Sequence, residues 1–113
     1  MIAVIFEVVI APGRQRDYLG LAEQLKSRLA EVDGFISIER FQSLLDADKL
    51  LSLSFWRDEA AIARWREDEA HRAAQGAGRG GIFADYRLRV ARVSRDYGMH
   101  DREQSPPGSV DGG

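Results

Sequence analysis

IAVIFEVVIA, residues 2–11, is the stretch on which the fold turns. It is rich in β-branched and aromatic residues and stops at Pro12-Gly13, which predicts a strand ended by a turn. Read with a period of two, one face carries Ile2, Val4, Phe6, Val8 and Ile10. The other carries Ala3, Ile5, Glu7, Val9 and Ala11. Both faces are mostly apolar, so both must be covered.

Working outward, residues 14–32 place Tyr18, Leu21, Ala22, Leu25, Leu29 and Val32 on one helical stripe. Asp33-Gly34 ends that helix, with Gly34 suited to a left-handed cap. Residues 35–44 and 49–56 form two strand-like runs across the short polar link Leu45–Asp48, which predicts an antiparallel hairpin. In its second run Leu51, Leu53 and Phe55 face one way, and Leu50, Ser52, Ser54 and Trp56 the other. Residues 58–76 read as a helix in two pieces. Asp58 is its N-cap, and Ala61, Ile62 and Trp65 form its short buried face. Gly76, Gly78, Gly80 and Gly81 then predict a flexible loop. Residues 82–95 are the last strand, with Tyr86, Leu88 and Val90 on one face. Val93 is out of phase with them, which predicts a bulge near Ala91-Arg92. The domain therefore spans 1–96, and the polar, Pro/Gly/Ser-rich stretch 97–113 reads as a disordered tail.

The order β-α-β-β-α-β predicts a ferredoxin-like α+β fold. Its antiparallel sheet has the first and third strands at the centre and helices on one face only. The other face would then be bare although the first strand is apolar there too, and a bare apolar sheet face needs a partner. The economical expectation is a homodimer through sheet faces, forming a dimeric α+β barrel with the helices outside.

Composition narrows the function. A formal net charge of -2 argues against a nucleic-acid partner held by bulk charge. The absence of cysteine excludes disulfides, a thiolate nucleophile and a cysteine zinc site. No apolar run reaches the ~20 residues of a membrane helix, and the start of the chain lacks a basic leader, so no membrane partner and a cytoplasmic location are expected. Only two histidines, His71 and His100, are present, so no protein-bound metal is expected. P-loop, dinucleotide and Gly-x-Ser-x-Gly signatures are missing.

Three local patterns then carry a resemblance. They are the strand ending at Pro12-Gly13, the turn Val32-Asp33-Gly34-Phe35, and Ser54-Phe55-Trp56-Arg57-Asp58-Glu59-Ala60 followed by Trp65 and Glu69-Ala70-His71-Arg72-Ala73-Ala74. Together with the element order, they resemble the antibiotic biosynthesis monooxygenase superfamily over about residues 1–96. The resemblance implies one of several chemistries. The family includes oxygenases of polycyclic aromatic polyketides, quinol oxygenases and haem-degrading enzymes, besides members with no assigned reaction.

The haem-degrading branch implies a tryptophan, matched by Trp65, and an iron-ligating histidine about ten residues later. That ligand position falls on Gln75, a poor ligand, with His71 one helical turn earlier. Its first-strand asparagine falls on Phe6, or on Glu7 with a one-residue slip. Haem turnover is therefore not expected. The polyketide branch implies a cleft between sheet and helices that works without metal, flavin or haem, so no cofactor is expected. Its tryptophan at the end of the third strand matches Trp56, and its asparagine four residues earlier is replaced by Ser52, which still donates one hydrogen bond.

The implied function is a cofactor-independent monooxygenase of a small aromatic phenol, quinol or polyketide-like substrate. A non-catalytic small-molecule binder or stress-related protein of the same fold is the alternative. The candidate catalytic residues are His71, Trp65, Trp56 and Ser52, and the candidate substrate-binding residues are Phe6, Glu7, Gln75 and Tyr86. Each has a plainer reading. Both tryptophans would serve as core, His71 as a half-exposed structural histidine, and Glu7 as one half of an ion pair with an arginine.

Overall fold

A computed structural model describes residues 1–68, 72–73, 76 and 78–107. Four strands and two helices follow in the order β1 (Ile2–Ile10), α1 (Gln15–Ala30), β2 (Phe35–Gln42), β3 (Lys49–Trp56), α2 (Glu59–Arg66) and β4 (Phe83–Arg92). The sheet is antiparallel throughout, in the order β2-β3-β1-β4, so β3 and β1 are central as the ferredoxin-like pattern requires.

The joints explain why the elements begin and end where they do. Gly13 turns the chain at φ 76°. Gly34 does the same at φ 93° after α1, and it is confined as well: a Cβ there would lie 2.7 Å from the Cβ of Ala61. This glycine lets the α1–β2 turn pack directly onto α2. Asp58 caps α2 as expected, its carboxylate accepting the Ala61 N–H at 2.9 Å. The β2–β3 turn is fixed by Ser43 and Asp46, whose side chains accept backbone N–H groups of Leu45, Asp46 and Asp48.

One expectation about the last strand needs correction. Pairing of β1 with β4 runs unbroken from Ile2 opposite Arg92 to Val9 opposite Asp85, so there is no bulge at Ala91-Arg92. Val93 is out of phase because the strand has ended, and its N–H bonds to the carbonyl of Met1 at 3.0 Å. The register shift lies at the other end of β4, between Val9 and Ile10, where Ala84 is the extra residue. Gly78–Ile82 closes as a wide helical turn with Gly81 at φ 109°. Ile82 is buried, and its carbonyl accepts the Ala11 N–H at 2.9 Å.

The core is in two parts. Ile2, Leu29, Trp56, Ala61, Ile62 and Trp65 pack at one end of the sheet, and Val8, Ile10, Tyr18, Leu50 and Ile82 at the other. Each fully buried aliphatic chain contributes about 1.5–3 kcal/mol. Along the helix-facing side of β1, Ile2, Val8 and Ile10 are buried but Val4 and Phe6 between them are only half-buried. The helices therefore do not fill the middle of the sheet.

On the opposite face Ile5, Val9, Leu51, Leu53 and Phe55 are half-buried and Phe41 is exposed, with no helix over them. Farther beyond β4, Asp96 N–H bonds Gln104 Oε1 at 2.8 Å, and the Arg102 guanidinium lies over the Tyr97 ring. No helix among the described residues is long and apolar enough to cross a membrane.

Candidate functional site

The sheet register sets the floor of the gap. Residues directly opposite one another in an antiparallel pair point to the same face. One row across the sheet is therefore Arg40, Ser52, Phe6 and Leu88, and the next is Ile38, Ser54, Val4 and Val90. Over these rows α1 presents Leu21, Ala22 and Leu25, and α2 presents Ile62 and Trp65. The cavity is about 450 Å³. That is within the roughly 300–1,000 Å³ of small-molecule sites.

The two ends of the cavity differ. At the closed end, Trp56 is buried against Phe35, with ring centroids 5.2 Å apart and edge to face. Its indole N–H donates to Ser54 Oγ at 2.9 Å, so this tryptophan satisfies its polar edge within the core. At the other end Phe6, Phe83, Tyr86 and Tyr18 form a chain of rings with centroids 5.7–6.2 Å apart. Tyr86 is 56% exposed, and Leu88 and Val90 are exposed beside it, so the cavity opens along β4.

Polar groups in the wall are few. Ser52 is buried, and its hydroxyl makes no hydrogen bond to a described residue. Arg40 stands directly opposite it and also lines the cavity. The sequence reading missed Arg40. The register of β2 shifts between Phe35 and Ser37, so even-numbered Ile38 and Arg40 share the face of odd-numbered Phe35, against simple alternation.

Five of the sequence-derived candidates meet here: Trp56, Trp65, Ser52, Phe6 and Tyr86 all line the cavity. His71 and Gln75 lie outside the described residues. Glu7 is corrected. It sits on the opposite face of the sheet, 3.2 Å from Arg89 Nη1 and 3.9 Å from Lys49 Nζ, so it cannot touch a ligand in the cavity. The plainer ion-pair reading describes it. Strict alternation along β1 forces this outcome, since Phe6 and Glu7 are neighbours.

Displaced carboxyl pKa values occur elsewhere, at the α1–β2 and β3–α2 joints. The Arg57 guanidinium grips both oxygens of Asp33 at 3.1–3.2 Å and holds that carboxyl below its usual range. The Ala61 N–H, and then Arg57, lower Asp58 likewise. Arg57 is pushed up in return. These groups fasten the helix joints and do not line the cavity. Among the described residues, no group of three or more His, Asp or Glu could hold a metal ion.

Comparison with known proteins agrees with this geometry. The family model described as "Antibiotic biosynthesis monooxygenase" matches residues 1–77. A protein of Pyricularia oryzae named "Jasmonate monooxygenase ABM" is 47% identical over 94 residues, which cover 83% of this chain and 44% of that protein. The chain thus spans less than half of that relative's length. The uncharacterized protein YqjZ of Bacillus subtilis is 35% identical over 94 residues, covering 82% of this chain and 79% of its own. The crystal structure of a putative antibiotic biosynthesis monooxygenase from Deinococcus radiodurans superimposes with a TM-score of 0.78 over 88% of this chain and 98% of that one. At 11% identity that likeness speaks for the fold alone.

Proposed function

The chain belongs to the antibiotic biosynthesis monooxygenase family, and from that premise we propose that its cavity is the active site of a cofactor-independent monooxygenase of a small aromatic phenol or quinol. One observation carries the reading. The helices leave a largely apolar space over the middle of the sheet, open along β4 and walled by Trp65 and Phe6, with the Ser52 hydroxyl free in its floor.

The chemistry such a space supports follows from electron supply. A deprotonated phenol or anthrone can itself reduce dioxygen. For an anthrone-type substrate the balance is a CH₂ oxidised to C=O, with one oxygen atom kept and the other released as water. The protein must hold the ring, keep water away and stabilise the substrate oxyanion. Trp65 and Phe6 supply flat apolar surface, and Ser52 Oγ supplies a hydrogen bond to the oxyanion. The proton acceptor assigned from sequence is His71, since an imidazole titrates near the working pH.

Oxygen uptake by metal-free protein on a panel of hydroquinones and anthrones, and on jasmonate with an added two-electron reductant, tests this. Jasmonate belongs in the panel because the 47% identical relative is named for it. One dioxygen consumed per product formed, with loss of rate in Ser52→Ala, is the expected result. Binding without oxygen consumption across the panel would select the non-catalytic binding protein instead.

The bare sheet face carries a second part of the proposal. Ile5, Val9, Leu51, Leu53, Phe55 and Phe41 form an apolar surface around the Glu7–Arg89 ion pair, and a second copy of the chain covering it would complete the barrel. Size-exclusion chromatography with light scattering should give twice the chain mass. A monomer at micromolar concentration would refute the pairing.

A further inference from the structure

Arg40 is the odd residue in the cavity wall. Its Nε is buried without a hydrogen-bond partner, and Arg40 forms no ion pair with a described residue. A guanidinium stays charged at any physiological pH, so this edge cannot escape its cost by losing a proton. A buried charged donor without an acceptor is among the more expensive arrangements in a fold. The other charged wall residues do not relieve it. Arg66 is a like charge and is exposed. Asp85 is on β4, two strands away beyond β3 and β1, and one of its oxygens accepts the Tyr86 N–H at 2.9 Å. Arg40 as a whole is half-buried and lines the cavity, so a ligand there is placed to supply the acceptor that its Nε lacks.

We propose that Arg40 receives the oxyanion of the ligand, so that the cavity selects small hydrophobic organic monoanions over neutral molecules. The charge sits at the β2 end, where Ser52 offers a second donor directly opposite Arg40. The hydrocarbon body extends along the row through Phe6 toward Leu88 and the mouth at β4. A guanidinium edge matches a carboxylate or a phenolate oxygen, and both sources share this chemistry. The inference rests on the cavity being the ligand site, as proposed above, but not on any turnover there.

Calorimetric titration of the full chain separates the outcomes. The probes are cyclohexylacetate against its neutral amide, and 4-nitrophenolate against 4-nitroanisole at a pH where the phenol is ionised. Wild-type protein should bind at least one anion about tenfold or more tightly than its neutral analogue. Arg40→Met should erase that preference and leave the neutral probes unchanged, and Arg40→Lys should restore part of it. Thermal melts confirm that both variants are folded. Preference in the carboxylate pair, the phenolate pair or both identifies the source of the anion. Equal binding of anion and neutral analogue in both pairs would overturn the proposal. So would a preference that survives Arg40→Met, or no binding by any probe at millimolar concentration. Charge-selective binding without oxygen uptake would remove the monooxygenase reading and leave Arg40 in its role.

Discussion

Both faces of the sheet carry apolar residues of β1 and β3, and they differ in what lies beside them: helices on one, the Glu7–Arg89 ion pair on the other. On the helix side Ile2, Val8 and Ile10 are buried, and Val4 and Phe6 floor a cavity. On the other side Ile5, Val9, Leu51 and Leu53 are only half-buried. Alternation in a strand says that a face is to be covered; it does not say by what. Helices of the same chain cover one face incompletely, and they leave a cavity there. Our proposal assigns that cavity to ligand and the other face to a second copy of the chain. That division can be broken at specific residues.

The largest effect should come from the assembly face. Leu53→Glu puts a carboxylate into the middle of it, and burying an unpaired charge there is prohibitive. The expected outcome is complete conversion to monomer at micromolar concentration by light scattering, with ligand affinity in the cavity retained. If the variant stays dimeric, pairing is not through this face.

Next is the helix side. Trp56→Ala removes a buried indole and should cost about 3–5 kcal/mol of unfolding free energy, read from urea denaturation. Gly34→Ala should follow at about 2–4 kcal/mol, since it combines a left-handed backbone with a 2.7 Å approach to Ala61. A loss below about 0.5 kcal/mol in Gly34→Ala would show that the α1–β2 turn is free to move off α2.

Smaller still is Glu7→Gln. Within one chain its partners Arg89 and Lys49 are half-exposed, so the stability of the monomer should change by less than about 1 kcal/mol and ligand affinity not at all. A tenfold weakening of ligand binding in Glu7→Gln would place the ligand on the wrong side of the sheet. The smallest effect is that of acid. The Asp33 and Asp58 carboxyls titrate below their unfolded values, so their contribution is present at neutral pH. It is lost as pH falls from about 4 through their lowered folded values. Melting temperature should fall over that interval in wild-type protein and fall less in Asp58→Ala. Added salt should shrink the difference, because these groups are exposed.

Much of this division was legible in the amino-acid sequence. The doubly apolar stretch 2–11 implied two covered faces, and the alternation Leu50, Ser52, Ser54, Trp56 placed the serines and Trp56 on one of them. Trp65 followed from the short apolar stripe of α2. What resisted reading were breaks in period. The shift after Phe35 and the extra residue Ala84 each move a run of side chains to the other face. The first brings Arg40 into the cavity unannounced, and the second sets Phe83 beside Tyr86. Glu7 went astray for a different reason. Aligning it to a family position tolerated a one-residue slip, and a slip of one in a strand changes the face.

A crystal structure with a bound ligand tests the central claim most directly, using whichever probe or substrate binds most tightly in calorimetry. The account predicts ligand density between the sheet and the helices, stacked near Phe6 and Trp65, with Ser52 and Arg40 within hydrogen-bond distance of its oxygen. Density confined to the outer face beside Glu7 and Lys49, with the cavity between the helices and the sheet left empty, would contradict it.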